Sequence, residues 1–447
     1  MRTRPSSGIL CSCSYGVFLL VVGFGLYSAK GEVGSNSPPR LVGDGHQTSW
    51  LCRPNVHLKA IYKTSETSCP VFLPFLNCTF SASSSPVAVI DNPKELVALV
   101  LRLRAAPWVS MDTEADSLHA YPQKLCLIQL SIPGEDVLVD PLAGLDLSAL
   151  WLALKDREII MHGADYDLRM LYKTYEFVPK QVFDTMLAAR LLGIPKFSLS
   201  DLVAKFFGVH MDKAPQKANW AMRPLTRRMI AYAVSDTKYL QPLADLLRRQ
   251  LEAKGRIDWH AQLCDQLVRD CSRPQVDTDT EPWRIKGSTR LGPRALAVLH
   301  ALWEWREHEA RSANRPPFFV LRHDTLISIA ESVAAHLPFD QLIPARFSPR
   351  RRAGLLAAVN KAMSIPDSQL PRQIVNPGRR QTPAEKMRLA RLRSIRDRHA
   401  VKLKLDPALI ASRATLIALA QDWEANAPAL LPWQRELLKQ GAPCRET

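Results

Sequence analysis

The stretch Ser110-Met111-Asp112-Thr113-Glu114-Ala115-Asp116 constrains this chain more than any other. It follows a short apolar run, residues 105–109, that reads as the start of a buried strand. Side chains on a strand alternate between its faces, so Asp112 and Glu114 point the same way. Two carboxylates side by side on a core strand repel each other and are costly to desolvate. A divalent cation removes that cost, and hard oxygen ligands suit Mg²⁺ or Mn²⁺ better than Zn²⁺. The alternative is a strand end with two solvated acids, and the downstream sequence weighs between the two.

That downstream sequence alternates strand-like and helix-like segments. Residues 87–90 read as a short strand, and Asn92-Pro93 opens a helix to about residue 104 with Asn92 as its cap. Strands follow at 125–132, 136–139 and 158–161. Helices are predicted at 145–154, 164–172, 182–192 and 199–207, with one long helix or a broken pair over 224–251. Strands interleaved with helices indicate an α/β domain around a mixed sheet.

Two further acidic elements fall within this region. His162-Gly163-Ala164-Asp165-Tyr166-Asp167-Leu168 joins a strand end to a helix start. An acid in that first turn reaches over the sheet edge, where α/β sites lie, or simply complements the helix dipole. In Tyr232-Ala233-Val234-Ser235-Asp236, Tyr232 and Asp236 share one helix face at i and i+4. They form either a functional pair or a core tyrosine bonded to a nearby acid. Between these elements runs a basic loop, residues 213–224. In it, Lys213, Lys217, Trp220 and Arg223 could meet phosphates and stack a base, while Trp220 could equally anchor the loop in the core.

Taken in order, the MDTEA strand, the HGADYDL turn, the Phe183-Asp184-Thr185 helix start and the YAVSD helix resemble the DEDD exonuclease superfamily, in the branch with Tyr in its last motif. Residues 87–255 are similar to ribonuclease D in particular. The resemblance implies a ribonuclease H-like mixed sheet flanked by helices. It also implies two divalent cations, Mg²⁺ or Mn²⁺, held by Asp112, Glu114, Asp167 and Asp236, with Tyr232 orienting the attacking water. Asp116, Asp165 and Asp184 match no ligand position, and Asn219 stands where the family commonly has Asp. The implied activity is 3′→5′ exoribonuclease action that releases nucleoside 5′-monophosphates, with tRNA precursors or other structured RNAs as substrates. Single-stranded DNA is a second candidate partner. No Walker-type glycine loop is present, so no nucleotide cofactor is expected.

The last third differs in charge. Residues 281–447 hold 28 Lys and Arg against 15 Asp and Glu, within a chain of net charge +16. Such asymmetry fits a module that holds a polyanion. Arg294, the helical run from residue 295 to 311 and the segment Arg315-Pro316-Pro317-Phe318-Phe319-Val320, read as a turn, resemble the HRDC domain, as does the helix opening at His323. That small all-α bundle is attached to ribonuclease D and RecQ-type helicases, and it implies nucleic-acid binding. Arg350 and Arg351, within the cluster from residue 346 to 352, are candidate phosphate contacts. A basic helix over 384–401 and a further helical unit over 403–438 follow.

The resulting division has five parts. Residues 1–85 are a leader or anchor, a disordered extension, or sequence upstream of the true start. Residues 86–256 form the exonuclease domain, 257–288 a linker, 289–369 an HRDC domain and 370–447 a second HRDC-like helical domain. Nine cysteines without pairing rhythm or any CxxC argue against a disulfide framework and a zinc ribbon. Cytoplasmic location without membrane association is expected, with the apolar run at 15–27 as the feature that would overturn it. Two other functions compete: a DNA 3′→5′ exonuclease of the same fold, and a catalytically silent RNA-binding adaptor. The adaptor would be marked by a lost ligand, yet all five motif residues are intact.

Overall fold

Strand β1 (Val89–Ile90) leads into helix α1 (Pro93–Ala105), which Asn92 caps by accepting from the Glu95 N–H. The computed structural model describes residues 87, 89–273, 281–373 and 380–441. The extension at 1–85 and residues 274–280 of the predicted linker lie outside the described residues. No helix among the described residues is long and apolar enough to cross a membrane.

After α1 come β2 (Val109–Ala115), β3 (Leu125–Ile132), β4 (Glu135–Val139), α2 (Ser148–Lys155), β5 (Glu158–Met161) and α3 (Asp165–Tyr175). Residues 105 and 106 belong to the end of α1 and its cap rather than to the acidic strand, which starts at Val109 beyond Pro107. The predicted helix over 182–192 divides into strand β6 (Gln181–Asp184) and helix α4 (Thr185–Leu191). The division falls at Asp184, whose carboxylate accepts from the Met186 and Leu187 N–H groups and so starts the helix there. Helices α5 (Leu199–Phe207), α6 (Arg227–Lys238) and α7 (Leu240–Ala253) follow, so the 224–251 segment is a broken pair.

Among the described residues, six strands form one mixed sheet in the order β1-β4-β3-β2-β5-β6. Strand β3 pairs antiparallel with β2 and β4, and the other pairings are parallel. Every residue of β3 is buried, as its continuous LCLIQLSI run requires of a strand covered on both faces. Strand β5 shows the alternation directly. Ile159 packs with Leu103, Leu150 and Leu168 on one side, and Ile160 packs with Phe183, Leu243 and Leu247 on the other. Strand β2 is flanked by β3 and β5, so its acidic residues sit mid-sheet.

Helix α8 (Ile257–Cys271) occupies the first half of the segment read as a linker. It packs on α3, α4 and β6, and the His260 ring meets the Asp184 carbonyl at 2.9 Å. Helices α9 (Pro293–Ser312), α10 (Pro317–Val320), α11 (His323–Ala334) and α12 (Pro349–Met363) follow; α9, α11 and α12 share one core, and α10 packs on α9. The segment read as a turn at 315–320 contains α10, a single helical turn entered from Pro316. Helix α9 carries Leu296, Leu299 and Leu302 inward, against Leu326, Ile329 and Leu355.

The final helices are α13 (Pro383–Leu403), α14 (Pro407–Ile410), α15 (Arg413–Gln421), α16 (Trp423–Asn426) and α17 (Pro432–Leu438). Their core is continuous with that of the nuclease sheet: Leu392, Ile410 and Trp433 pack in one cluster with Leu191, Leu202 and Leu247. Trp259 and Trp433 stack with centroids 4.7 Å apart and planes 11° apart. Gly193 marks the tightest approach. Its φ is +75°, and a Cβ there would lie 2.1 Å from the Lys404 carbonyl oxygen. Only glycine meets both demands.

Candidate active site

Strand β2 delivers Asp112 and Glu114 to one face of the sheet, and α6 brings Asp236 against that face. One carboxylate oxygen from each of the three lies within 4.8 Å of the others. A register shift between Glu114 and Ala115 distorts the ladder with β3 at this point. Irregularities of this kind re-aim side chains at the ends of paired segments. Helix α6 is fixed over β3 by its Thr226 cap and by a 2.8 Å hydrogen bond between the Ser131 and Thr237 hydroxyls.

Asp167, the fourth predicted ligand, arrives differently. It sits in the first turn of α3, and its carboxylate accepts from the Thr113 hydroxyl. Thr113 alternates with Asp112 and Glu114, so Asp167 approaches from the other side of β2. It lies outside the group of three, yet its charge acts on both Asp112 and Glu114. Asp116, Asp165 and Asp184 are engaged elsewhere: by the Lys124 N–H, by Arg169, and by the Ala164, Met186 and Leu187 N–H groups.

The electrostatics disfavour leaving these four carboxylates charged together. Burial raises the Asp112 carboxyl well above its usual range, and the charges of Asp167, Asp236 and Glu114 raise it further. Burial, then Asp236 and Asp167, push Glu114 up to about 9. Burial carries Asp236 to about 7 and Asp167 to about 6, against the lowering effect of hydrogen bonds from Tyr232 and Thr113 respectively. Acids so placed are either protonated or neutralised by a cation. An all-oxygen donor set of this kind fits a hard divalent ion.

Tyr232 lies one turn before Asp236 on α6. Burial and the neighbouring carboxylates raise its phenol above the ordinary tyrosine value, so it is protonated at neutral pH. The Trp220 ring lies 5.9 Å from the Tyr232 ring, tilted by 40°. Trp220 is only 1% exposed. It therefore holds Tyr232 and cannot stack a base, which corrects one predicted nucleic-acid contact. Arg223 is a second correction: it pairs with buried Asp140 and donates to the Trp220, Met222 and Cys126 carbonyls. Its donors are consumed in tying the 213–224 loop to β3 and to the end of β4.

Lys213 stays exposed and lines the same cavity as Asp112, Tyr232 and Asp236, a space of about 380 Å³. Lys217 is also exposed, and its carbonyl accepts the ring of His119 at 3.0 Å. Arg350 and Arg351 both pair with Glu309, at 2.9 and 3.0 Å. This ties much of Arg351 down, while Arg350 keeps an open guanidinium face.

Sequence reasoning missed Phe197 and Met186, which line the cavity beside the acids. Nothing in their local pattern separates them from core residues. It also left His162 without a chemical role. The Thr185 hydroxyl donates to the Met161 carbonyl, so His162 Nδ1–H must donate to Thr185 Oγ1, 2.9 Å away. Burial lowers this histidine, which leaves it neutral with Nε2 as its acceptor.

The chain is similar to known proteins over most of its length. The 3'-5' exonuclease family matches residues 87–252, and the HRDC domain family matches residues 295–336. Ribonuclease D of Gluconacetobacter diazotrophicus is 35% identical over 369 residues, spanning 80% of this chain and 92% of that protein. Ribonuclease D of Escherichia coli K12 is 30% identical over 368 residues, spanning 79% and 96%. The crystal structure of Escherichia coli RNase D, described as an exoribonuclease involved in structured RNA processing, superimposes with a TM-score of 0.61. That superposition has 27% identity and covers 80% of this chain and 97% of that one.

Proposed function

Because this chain belongs to the ribonuclease D family and is a 3′→5′ exoribonuclease of the DEDD superfamily, we propose that Asp112, Glu114, Asp167 and Asp236 hold its catalytic metal, as two Mg²⁺ or Mn²⁺ ions. The observation that carries this is the convergence of three carboxylate oxygens within 4.8 Å, at acids whose charged neighbours are other acids. Divalent cations held there supply charge neutralisation at the scissile phosphodiester and make water easier to deprotonate.

The chain's own groups do the rest. Tyr232, kept protonated by its surroundings, is a hydrogen-bonding group that orients water and not a base. Lys213 on the cavity wall meets a phosphate of the penultimate linkage. Trp220 and Arg223 keep the 213–224 loop and Tyr232 in place. Nucleoside 5′-monophosphates leave from the 3′ end. The substrates are structured RNAs with 3′ extensions, tRNA precursors among them, in preference to DNA.

The nuclease unit comprises 86–256 with α8 added from the 257–288 segment. The HRDC unit comprises 289–369, and the second helical unit occupies 370–447. Incubating the protein with a tRNA precursor bearing a 3′ extension, and with a matched DNA strand, tests the substrate reading. Trimming that stops at the mature end and favours RNA supports it. Equal digestion of DNA overturns it.

A further inference from the structure

His162 lines the same cavity of about 380 Å³ as Asp112, Tyr232 and Asp236, yet it belongs to no ligand set. Its place follows from the sheet. Strands β2 and β5 run parallel with Ser110 beside Ile160. Two residues further along each chain, Asp112 and His162 leave the same face at the same level.

A short relay fixes the ring. The Thr185 hydroxyl donates to the Met161 carbonyl at 3.1 Å, so its oxygen accepts from His162 Nδ1–H at 2.9 Å. The free lone pair therefore lies on Nε2. Burial lowers the ring below the ordinary histidine value, against the charge of Asp184, and keeps it neutral. Nε2 has no hydrogen-bond partner among the described residues.

A lone acceptor restricts what can be placed beside it. Phosphate oxygens only accept, so they do not satisfy Nε2. On a 3′-terminal nucleotide the donors are the sugar hydroxyls and the base N–H groups. Base N–H groups differ among the four bases, whereas Phe197, Met186 and Met211 give the cavity an apolar wall on which any base lies. Of the two hydroxyls, only the 2′-OH separates RNA from DNA. Other polar side chains on the wall suit it less. Lys213 only donates, Ser198 and Asp212 are bonded to Asp201 and Arg228, and Gln216 is exposed to water.

We propose that His162 Nε2 accepts a hydrogen bond from the 2′-OH of the 3′-terminal ribose, which makes it a specificity-determining residue for RNA. The assignment rests on the RNA preference proposed above. An acceptor placed for a hydroxyl discriminates against the analogue that lacks it, because the acceptor is then left unpaired away from water. The terminal 2′-OH is remote from the bond that breaks, whose leaving oxygen belongs to the penultimate nucleotide. Removing it leaves the leaving group unchanged.

The test uses the full chain with Mg²⁺ and three strands of one sequence: all-RNA, RNA ending in a single 2′-deoxynucleotide, and all-DNA. For each, kcat/KM is read for release of the first nucleotide. The wild type should release the ribose end about tenfold faster than the deoxy end, the worth of one hydrogen bond. His162→Asn keeps an amide where Nδ1 stands and withdraws the acceptor at Nε2, so the ratio should fall to about one. His162→Gln carries its amide out to the Nε2 position and should restore most of the ratio. A general loss of activity lowers both ends together and does not move this ratio, which separates recognition from a structural role. A ratio that persists in His162→Asn overturns the assignment, as does a ratio lost equally in both variants or a wild type indifferent to the terminal sugar. Equal digestion of the all-DNA strand by the wild type overturns the RNA preference itself.

Discussion

The Thr113 hydroxyl donates to the Asp167 carboxylate, so an acid on α3 is tied to strand β2 on the side opposite Asp112 and Glu114. This bond lowers Asp167 against the burial that raises it to about 6. Thr113→Val keeps the shape and removes the donor, so Asp167 should titrate higher. The acidic limb of the pH profile of kcat/KM should then move to higher pH, with a stability cost of about 1–3 kcal/mol. An unmoved limb in a folded variant would show that Asp167 does not take part.

Metal-free protein should lose stability as pH rises. The folded-state values of Asp167, Asp236 and Glu114, about 6, 7 and 9, all exceed those of an unfolded chain. Their contribution is therefore fully present below the unfolded values near 4 and is lost as pH climbs through 6 to 9. Calorimetry in EDTA should record a falling Tm across that range. Millimolar Mn²⁺ should flatten the fall, because binding replaces the protons.

Removing one of the crowded charges should stabilise the metal-free fold. Asp112→Asn abolishes a buried carboxylate that three others oppose. It should raise Tm in EDTA at pH 8, by the equivalent of about 1–2 kcal/mol, while activity is lost. A lower Tm would mean that Asp112 is held by favourable contacts instead.

Two basic residues of the 213–224 loop should separate cleanly. Arg223→Ala leaves Asp140 buried and unpaired and should cost on the order of 3 kcal/mol, with the salt dependence of RNA binding by the folded fraction unchanged. Lys213→Ala should leave Tm alone and raise KM, with a shallower salt dependence. Thermal melts and salt titrations on both variants distinguish the roles.

Much of the site was legible because its chemistry is written in short, ordered motifs. Asp112 and Glu114 share a face through strand alternation, and Tyr232 and Asp236 through helix spacing. Both relations are local and survive folding unchanged. What sequence could not give was anything set by tertiary partners. Trp220 and Arg223 look like ligands of a polyanion until Tyr232 and Asp140 are seen to occupy them. Strand β6 was hidden because Gln181–Asp184 is four residues long and runs straight into α4, so helical periodicity absorbed it. Continuity between the nuclease core and the last helices depends on contacts such as Gly193 with Lys404, which no local pattern announces.

The most direct measurement follows a 5′-labelled single-stranded RNA with Mg²⁺, in the wild type and in Asp112→Asn and Asp236→Asn. The wild type should produce a ladder shortening one nucleotide at a time from the 3′ end. That ladder should vanish in EDTA, return when Mg²⁺ is restored, and be missing from both folded variants. Shortening that persists in EDTA, or at the wild-type rate in either variant, would contradict the assignment of these carboxylates as the catalytic metal site.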